Sequence, residues 1–403
     1  MAGDDTSPPI ESRADLIEAM ARGGKPRSEW RVGTEHEKHV YRKGPIRPVP
    51  YEGEAGIYAL LRGIEQRSGW HPFFDRHNPI GLRNLGDVGG ISLEPGGQFE
   101  LSGAPQETIH DAAAELKAHL LDCRAVGAEL NIHFLGLGTT PLWAVKDIPV
   151  MPKSRYGIMT PYMDKVGTLG TSMMYRSCTV QANLDFADEA DMVKKLRVSL
   201  ALQPIVTALF ANSPFIDGKP SGYLSFRSHI WRNTDNDRTG MLPFAFEDGF
   251  GFERYADHAL DVPMYFVIRN KQYVNCAGES FRAFLEGKLP QLPGEKPTIK
   301  DWEDHLSTLF PEVRLKQFLE MRGADMGDEA HVNALPALWV GLLYDDEALE
   351  GAWQLVKDWT AEERQQLRDE VPRTALAARC HNRSVAEIAA DVVALARAGL
   401  ARR

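Results

Sequence analysis

Near the start of the chain, apolar residues recur at helical spacing. Ser12 to Ala21 and Glu54 to Arg67 read as helices, and Glu107 to Asn131 reads as a long one that turns Ile109, Leu116, Leu120 and Leu121 toward a core. In the last sixty or so residues, Thr360 with Glu363 and Ser384 with Glu387 fit the capping-box spacing, in which hydroxyl and carboxylate satisfy each other's backbone amides. The final helix sets Val385, Ile388, Val392 and Leu395 on one stripe, which must pack on something. The uncharged run from Val198 to Ile216 could span a bilayer by length, but Gln203, Pro204, Asn212, Ser213 and Pro214 interrupt it. It reads as a buried helix ending at a loop.

Elsewhere the period is two. A strand through Val32-Gly33-Thr34-Glu35-His36-Glu37 would put Glu35 and Glu37 on one face. In Ser92 to Leu101, Pro95-Gly96-Gly97 marks a tight turn; a hairpin with a three-residue loop sets Glu94 opposite Gln98, with Glu100 two residues on along that face. Thr179 to Phe186 alternates, with Val180, Ala182, Leu184 and Phe186 on one side and Thr179, Gln181, Asn183 and Asp185 on the other. Gly222 to Trp231 would place Tyr223, Ser225, Arg227, His229 and Trp231 together as a strand face, and Phe318 to Arg322 pairs Glu320 with Arg322. Any one of these is more often a wet sheet face than a site. Together they hold Glu, Gln, Asn and Arg where solvated strands carry Lys, Thr and Ser, and this favours a functional reading.

Composition narrows the class. The 403 residues, 43% apolar and 25% charged, fall in the ordinary globular range. Length alone predicts two or three domains. Without repeats or a low-complexity linker, one catalytic domain over 1–403 is expected, with an N-terminal extension and helix at 1–28 and a helical region packed on it at 345–403. A net charge of −10 has the wrong sign for living on phosphate backbones, so neither nucleic acid nor an anionic membrane is expected as a partner. Cys123, Cys178, Cys276 and Cys380 form no C-x-x-C pair, which fits a reducing compartment. Asp4, Asp5, Pro8, Pro9 and Glu11 stand where a signal peptide needs a basic start and an apolar run, so the expected location is cytoplasmic.

Several familiar motifs fail. His36-Glu37-Lys38-His39 spaces its histidines by three, not the four of a zinc helix. Asp235, Asp237 and Gly240 begin like an EF-hand, but position twelve would be Phe246. Gly136-Leu137-Gly138 lacks the third glycine of a dinucleotide loop, and Gly218-Lys219 lacks the upstream glycine of a P-loop. Clustered carboxylates without Cys or well-spaced His suit hard cations, Mg²⁺ or Mn²⁺, which commonly carry phosphates. Arg227 and Arg322 would grip an anionic group in two-pronged fashion.

At these residues the sequence resembles glutamate-cysteine ligases of the plant and proteobacterial type. The likeness runs from about Trp30 to the end. Its most specific stretches include Met-Pro-Lys-Ser-Arg-Tyr at 151–156, Cys-Thr-Val-Gln-Ala-Asn-Leu-Asp-Phe at 178–186 and Trp-Val-Gly-Leu-Leu-Tyr-Asp at 339–345. The resemblance implies an α+β fold in which a curved antiparallel sheet forms a funnel with flanking helices, a glutamine synthetase-like catalytic fold. It implies metal ligation by Glu35, Glu37, Glu94, Glu100 and Glu320, with Gln181 where distant relatives place a histidine. Arg227 would hold the glutamate α-carboxylate and Arg322 the transferred phosphoryl. Lys153, Arg155, Lys165 and Asn183 are implied candidates for nucleotide or phosphate contact, and Arg155, Tyr156 and Trp231 for substrate contact. The implied reaction consumes ATP with Mg²⁺ and joins glutamate to cysteine through a γ-glutamyl phosphate, opening glutathione biosynthesis, in a monomer or weak homodimer. Where plant members carry redox disulfides, the resemblance puts Ala113 and Asn333 at one pair of positions and Cys276 and Gln291 at the other, so no disulfide switch is expected. Alternatives are a ligase with a different amine acceptor, a non-catalytic nucleotide-binding homologue and, more distantly, a glycoside hydrolase, which would have no use for the two arginines.

Overall fold

A computed structural model describes residues 7–44, 46–86 and 89–403. The acidic start at Asp4 and Asp5, and with it the first part of the 1–28 extension, lies outside the described residues. The strands of the main sheet begin with β1 (Val32–Arg42), β2 (Arg47–Pro48), β3 (His71–Asp75), β4 (Asn78–Arg83), β5 (Gly90–Leu93), β6 (Phe99–Ser102), β7 (Ile132–Leu135) and β8 (Thr179–Leu184). Short pairs follow: β9 (Phe215–Ile216) with β10 (Lys219–Pro220), β11 (Thr239–Gly240) with β14 (Phe310–Pro311), and β12 (Phe266–Arg269) with β13 (Gln272–Asn275). The main sheet is completed by β15 (Val313–Leu315) and β16 (Leu319–Asp325). Its order is β15-β16-β8-β1-β6-β5-β4-β3, antiparallel throughout, with β2 and β7 on the far half of β1. The length of β1 lets it serve both sets of partners.

Helices α1 (Arg13–Ala21), α2 (Ile57–Ser68) and α3 (Ile109–Leu130) match the periodic segments, and α4 (Tyr156–Val166) and α5 (Gly170–Arg176) follow them. Thr108 caps α3, accepting the Asp111 amide while the Asp111 carboxylate accepts the Thr108 amide. The buried stripe of α3 is Ala112, Leu116, His119, Cys123 and Val126. Leu121 falls off that stripe and is 54% exposed, contrary to its expected place in the core. The run at Val198 lies in α6 (Glu189–Leu209), which ends before Asn212 as expected, and both C-terminal capping boxes are present, on helices Ala361–Thr374 and Val385–Arg402. No helix among the described residues is long and apolar enough to cross a membrane.

One face of the sheet is apolar. Val180, Ala182 and Leu184 of β8 and Leu319 and Met321 of β16 join a single core with α6 and the helix Glu329–Leu343. On β1 the same face carries Thr34, His36 and Lys38, sealed against α3. Residues of opposite parity are therefore left to build the polar face.

One expected strand is absent. Gly222 to Trp231 ends instead in a short helix, α7 (Phe226–Trp231), capped by Ser225, whose hydroxyl accepts the Ser228 amide at 3.1 Å. Residues four apart share a face in a strand and in a helix alike, so Arg227 and Trp231 remain neighbours although the element was misread. The Arg227 guanidinium lies 5.7 Å from the Trp231 ring centroid.

Candidate functional site

The register of five strands aligns the polar face. Glu37 of β1 lies directly opposite Glu100 of β6, and Glu35 opposite Gln181 of β8. Asn183 of β8 faces Glu320 of β16, which in turn faces Arg314 of β15. The hairpin joining β5 to β6 has the expected pairing, the Glu94 amide donating to the Gln98 carbonyl at 3.0 Å.

Toward β6 the face is acidic. Glu35 accepts the Asn183 side-chain amide at 2.8 Å, and Glu37 accepts the Thr179 backbone amide at 2.9 Å. Glu100 takes the hydroxyls of Ser92 at 2.8 Å and Ser102 at 3.2 Å. Neutral donors do not cancel charge. Burial, with Glu320 and Glu100 nearby, raises the Glu35 carboxyl to about 6. Burial, Glu100 and Glu94 push Glu37 well above the usual carboxylate range, and burial with Glu94 raises Glu100. Glu94, at the turn, meets Arg155 at 3.5 Å and Lys153 at 3.9 Å.

Toward β15 the face is cationic. Burial would raise the Glu320 carboxyl, yet Arg314, Lys316 and Arg322 hold it well below its ordinary value. Arg314 grips it in two-pronged fashion at 2.8 and 3.1 Å, Lys316 lies at 3.1 Å, and Arg322 also bonds it. Arg322 reaches Gln181 Oε1 at 2.9 Å as well, and its guanidinium stands against Trp231 and Phe310. Arg227 is 2% exposed and donates to the Arg322 carbonyl at 3.0 Å.

Most of the expected residues therefore come together, in different roles. Glu35, Glu37, Glu94 and Glu100 form the acidic half; Glu320, Arg322 and Gln181 form the other, beside Arg227 and Trp231. Lys153 and Tyr156 are props for the hairpin, both donating to the Leu93 carbonyl, at 2.7 and 2.9 Å. Lys165 lies exposed in the last turn of the helix Tyr156–Val166. Arg314 and Lys316 were missed. The signal for Arg314 was a β15–β16 hairpin that sets it opposite Glu320, readable only once both strands are assigned. All four cysteines are buried with free thiols.

The site has open valences. Asn183 Oδ1, Arg155 Nε, Arg227 Nε and Trp231 Nε1 are buried without hydrogen-bond partners among the described residues, as expected of a surface that a polar ligand completes. Also among the described residues, no three acidic, His or Cys side chains converge into a cage for a metal ion. The donors do fit a hard cation of the Mg²⁺ kind, which takes one or two carboxylates and fills its remaining positions with water and substrate phosphate oxygens.

The sequence profile of glutamate-cysteine ligase family 2 matches residues 31–403. The chain is 55% identical to the chloroplastic glutamate-cysteine ligase B of Oryza sativa subsp. japonica, over 98% of this chain and 81% of the relative. It is equally 55% identical to the chloroplastic glutamate-cysteine ligase of Nicotiana tabacum, over 98% and 77%. Among solved structures, the glutamate-cysteine ligase of Francisella tularensis in complex with AMP superposes with a TM-score of 0.55 at 11% identity, over 92% of this chain and 78% of that one. That last likeness shows a shared fold.

Proposed function

Because the chain belongs to glutamate-cysteine ligase family 2, we propose that it uses ATP to join the γ-carboxylate of glutamate to the amine of cysteine. The observation that carries this reading is the division of one sheet face into an acidic half and a cationic half, with Arg227 and Arg322 at the cationic end.

Two anions, the glutamate γ-carboxylate and the ATP γ-phosphate, must meet before γ-glutamyl phosphate can form, and charge neutralisation is the main task. Arg322 is fixed by Glu320 and Gln181 and presents its guanidinium to the transferred phosphoryl group. Arg227 receives the α-carboxylate, using the Nε that has no partner among the described residues. Glu35, Glu37, Glu94 and Glu100 would hold Mg²⁺ or Mn²⁺; Glu320 reaches a cation only by releasing one of its basic partners. When bound, the ion supplies positive charge against the phosphates. Arg155 and Trp231 border the substrates, with Lys153 behind the hairpin. The cysteine amine then displaces phosphate and forms the amide. We place the chain in a reducing cytoplasm as a monomer or weak homodimer, to be checked by fractionation and by sizing.

The test is phosphate release from ATP with Mg²⁺ and glutamate, comparing cysteine, 2-aminobutyrate and no amine. Glutamate-dependent release that is highest with cysteine is expected. Equal release without any amine, or preference for an unrelated amine, would remove cysteine from the reading.

A further inference from the structure

At the end of β16 lies a carboxylate to which the reaction assigns no task. Asp325 is 0% exposed, and the loop at Gly138 packs on it so closely that a Cβ there would lie 2.4 Å from the Asp325 carboxyl carbon. Between Met321 and Ala324 the strand carries one extra residue, and this bulge brings Asp325 opposite Thr179 on the polar face.

Asp325 has three donors. Its Oδ2 accepts the Asn212 backbone amide at 2.8 Å and the Ser213 hydroxyl at 2.6 Å, and its Oδ1 accepts the Ser225 hydroxyl at 2.8 Å. A hydroxyl has one proton. With that proton committed to Asp325, each serine oxygen turns its lone pairs to the start of α7: Ser213 accepts the backbone amide of Arg227 at 3.1 Å, and Ser225 accepts that of Ser228 at 3.1 Å. The two serines are also joined as a parallel bridge, and all three side chains are buried. One carboxylate thus orients two hydroxyls, and these fix the backbone from which the Arg227 side chain reaches the site.

We propose that Asp325, acting through Ser213 and Ser225, is the positioning residue that aims Arg227 at the glutamate α-carboxylate. The proposal rests on the ligase reading above and deepens it by naming the side chains that hold the glutamate-binding arginine in place. A charged acceptor suits the role because it accepts hydrogen bonds from both serine hydroxyls and from the Asn212 backbone amide at once. An asparagine amide would meet at least one of these donors with a donor of its own.

The test is steady-state kinetics of Asp325→Asn, Ser225→Ala and Ser213→Ala in the whole protein, each with a melting curve. Expected for Asp325→Asn is a rise of about tenfold in the KM for glutamate, with a much smaller change in kcat and an unchanged KM for ATP; the serine variants should move the same parameter by about threefold. The serine variants keep the test open if Asp325→Asn folds poorly. A fall in kcat with glutamate KM untouched, or equal rises in both KM values, would make Asp325 a structural residue only and overturn the proposal. If the parent enzyme shows no glutamate-dependent phosphate release, the ligase reading fails; if the parent is active and the serine variants keep the parent's glutamate KM, only this inference fails.

Discussion

The two halves of the polar face are built from the same side chain used in opposite ways. Glu37 and Glu320 are glutamates of one polar sheet face, Glu37 half-buried on β1 and Glu320 fully buried on β16, with β8 between the two strands. Burial and the neighbouring carboxylates of Glu100 and Glu94 leave Glu37 reluctant to ionise. Around Glu320, Arg314, Lys316 and Arg322 make ionisation easy in spite of burial. Burial has one sign for both residues, so the neighbours decide the outcome. The first environment is prepared for an incoming cation; the second is a folded-in anchor for a guanidinium. Sharing a face and a residue type does not give two glutamates the same task.

Substitutions can break this contrast in order of effect. Glu37→Gln removes charge from the cation-seeking half and is expected to lower kcat about a thousandfold, on the order of 4 kcal/mol, while the melting temperature holds or rises. Retained turnover in the phosphate-release assay would take Glu37 out of the site. Arg314→Met strips the main partner from a buried anion and should cost about 3 kcal/mol of stability in denaturant titration. A loss below about 1 kcal/mol would mean that Lys316 and Arg322 suffice.

A third effect depends on pH. Because Glu35 titrates at about 6 in the fold and at 4.5 ordinarily, the native state binds its proton more tightly than the unfolded chain does. That contribution to stability is complete below 4.5 and is lost as pH rises through about 6. In metal-free buffer the parent should therefore weaken relative to Glu35→Gln between pH 4 and pH 7, by on the order of 2 kcal/mol. An unchanged gap between the two proteins would show that burial and the neighbouring carboxylates do not raise the Glu35 carboxyl. The smallest effect is expected from Lys165→Ala, which touches neither half: kinetic constants within about twofold of the parent and stability within about 0.5 kcal/mol.

What could be read in advance follows physical range. Alternation over β1 and β8 placed Glu35, Glu37, Gln181 and Asn183 on the correct face, because period two is a local property of the chain. The Pro-Gly-Gly turn gave the pairing around Glu94 and Glu100 for the same reason. The helix at Arg227 escaped because its six residues are too few to separate the two periods and its cap depends on Asp325, about a hundred residues away. Arg314 escaped because its partner is defined by strand register, not by spacing within one segment. Leu121 was assigned to the core on hydrophobicity alone, although the stripe that packs passes through His119 and Cys123.

The extra residue between Met321 and Ala324 makes chain length a sensitive variable in this segment, beside the identity of Arg322. Excising any one position there would reverse the phase of the strand's end and drive a carboxylate into the hydrocarbon layer beneath. Homologous sequences should therefore refuse gaps across this stretch while keeping Arg322, a pattern visible in an alignment before any enzyme is assayed.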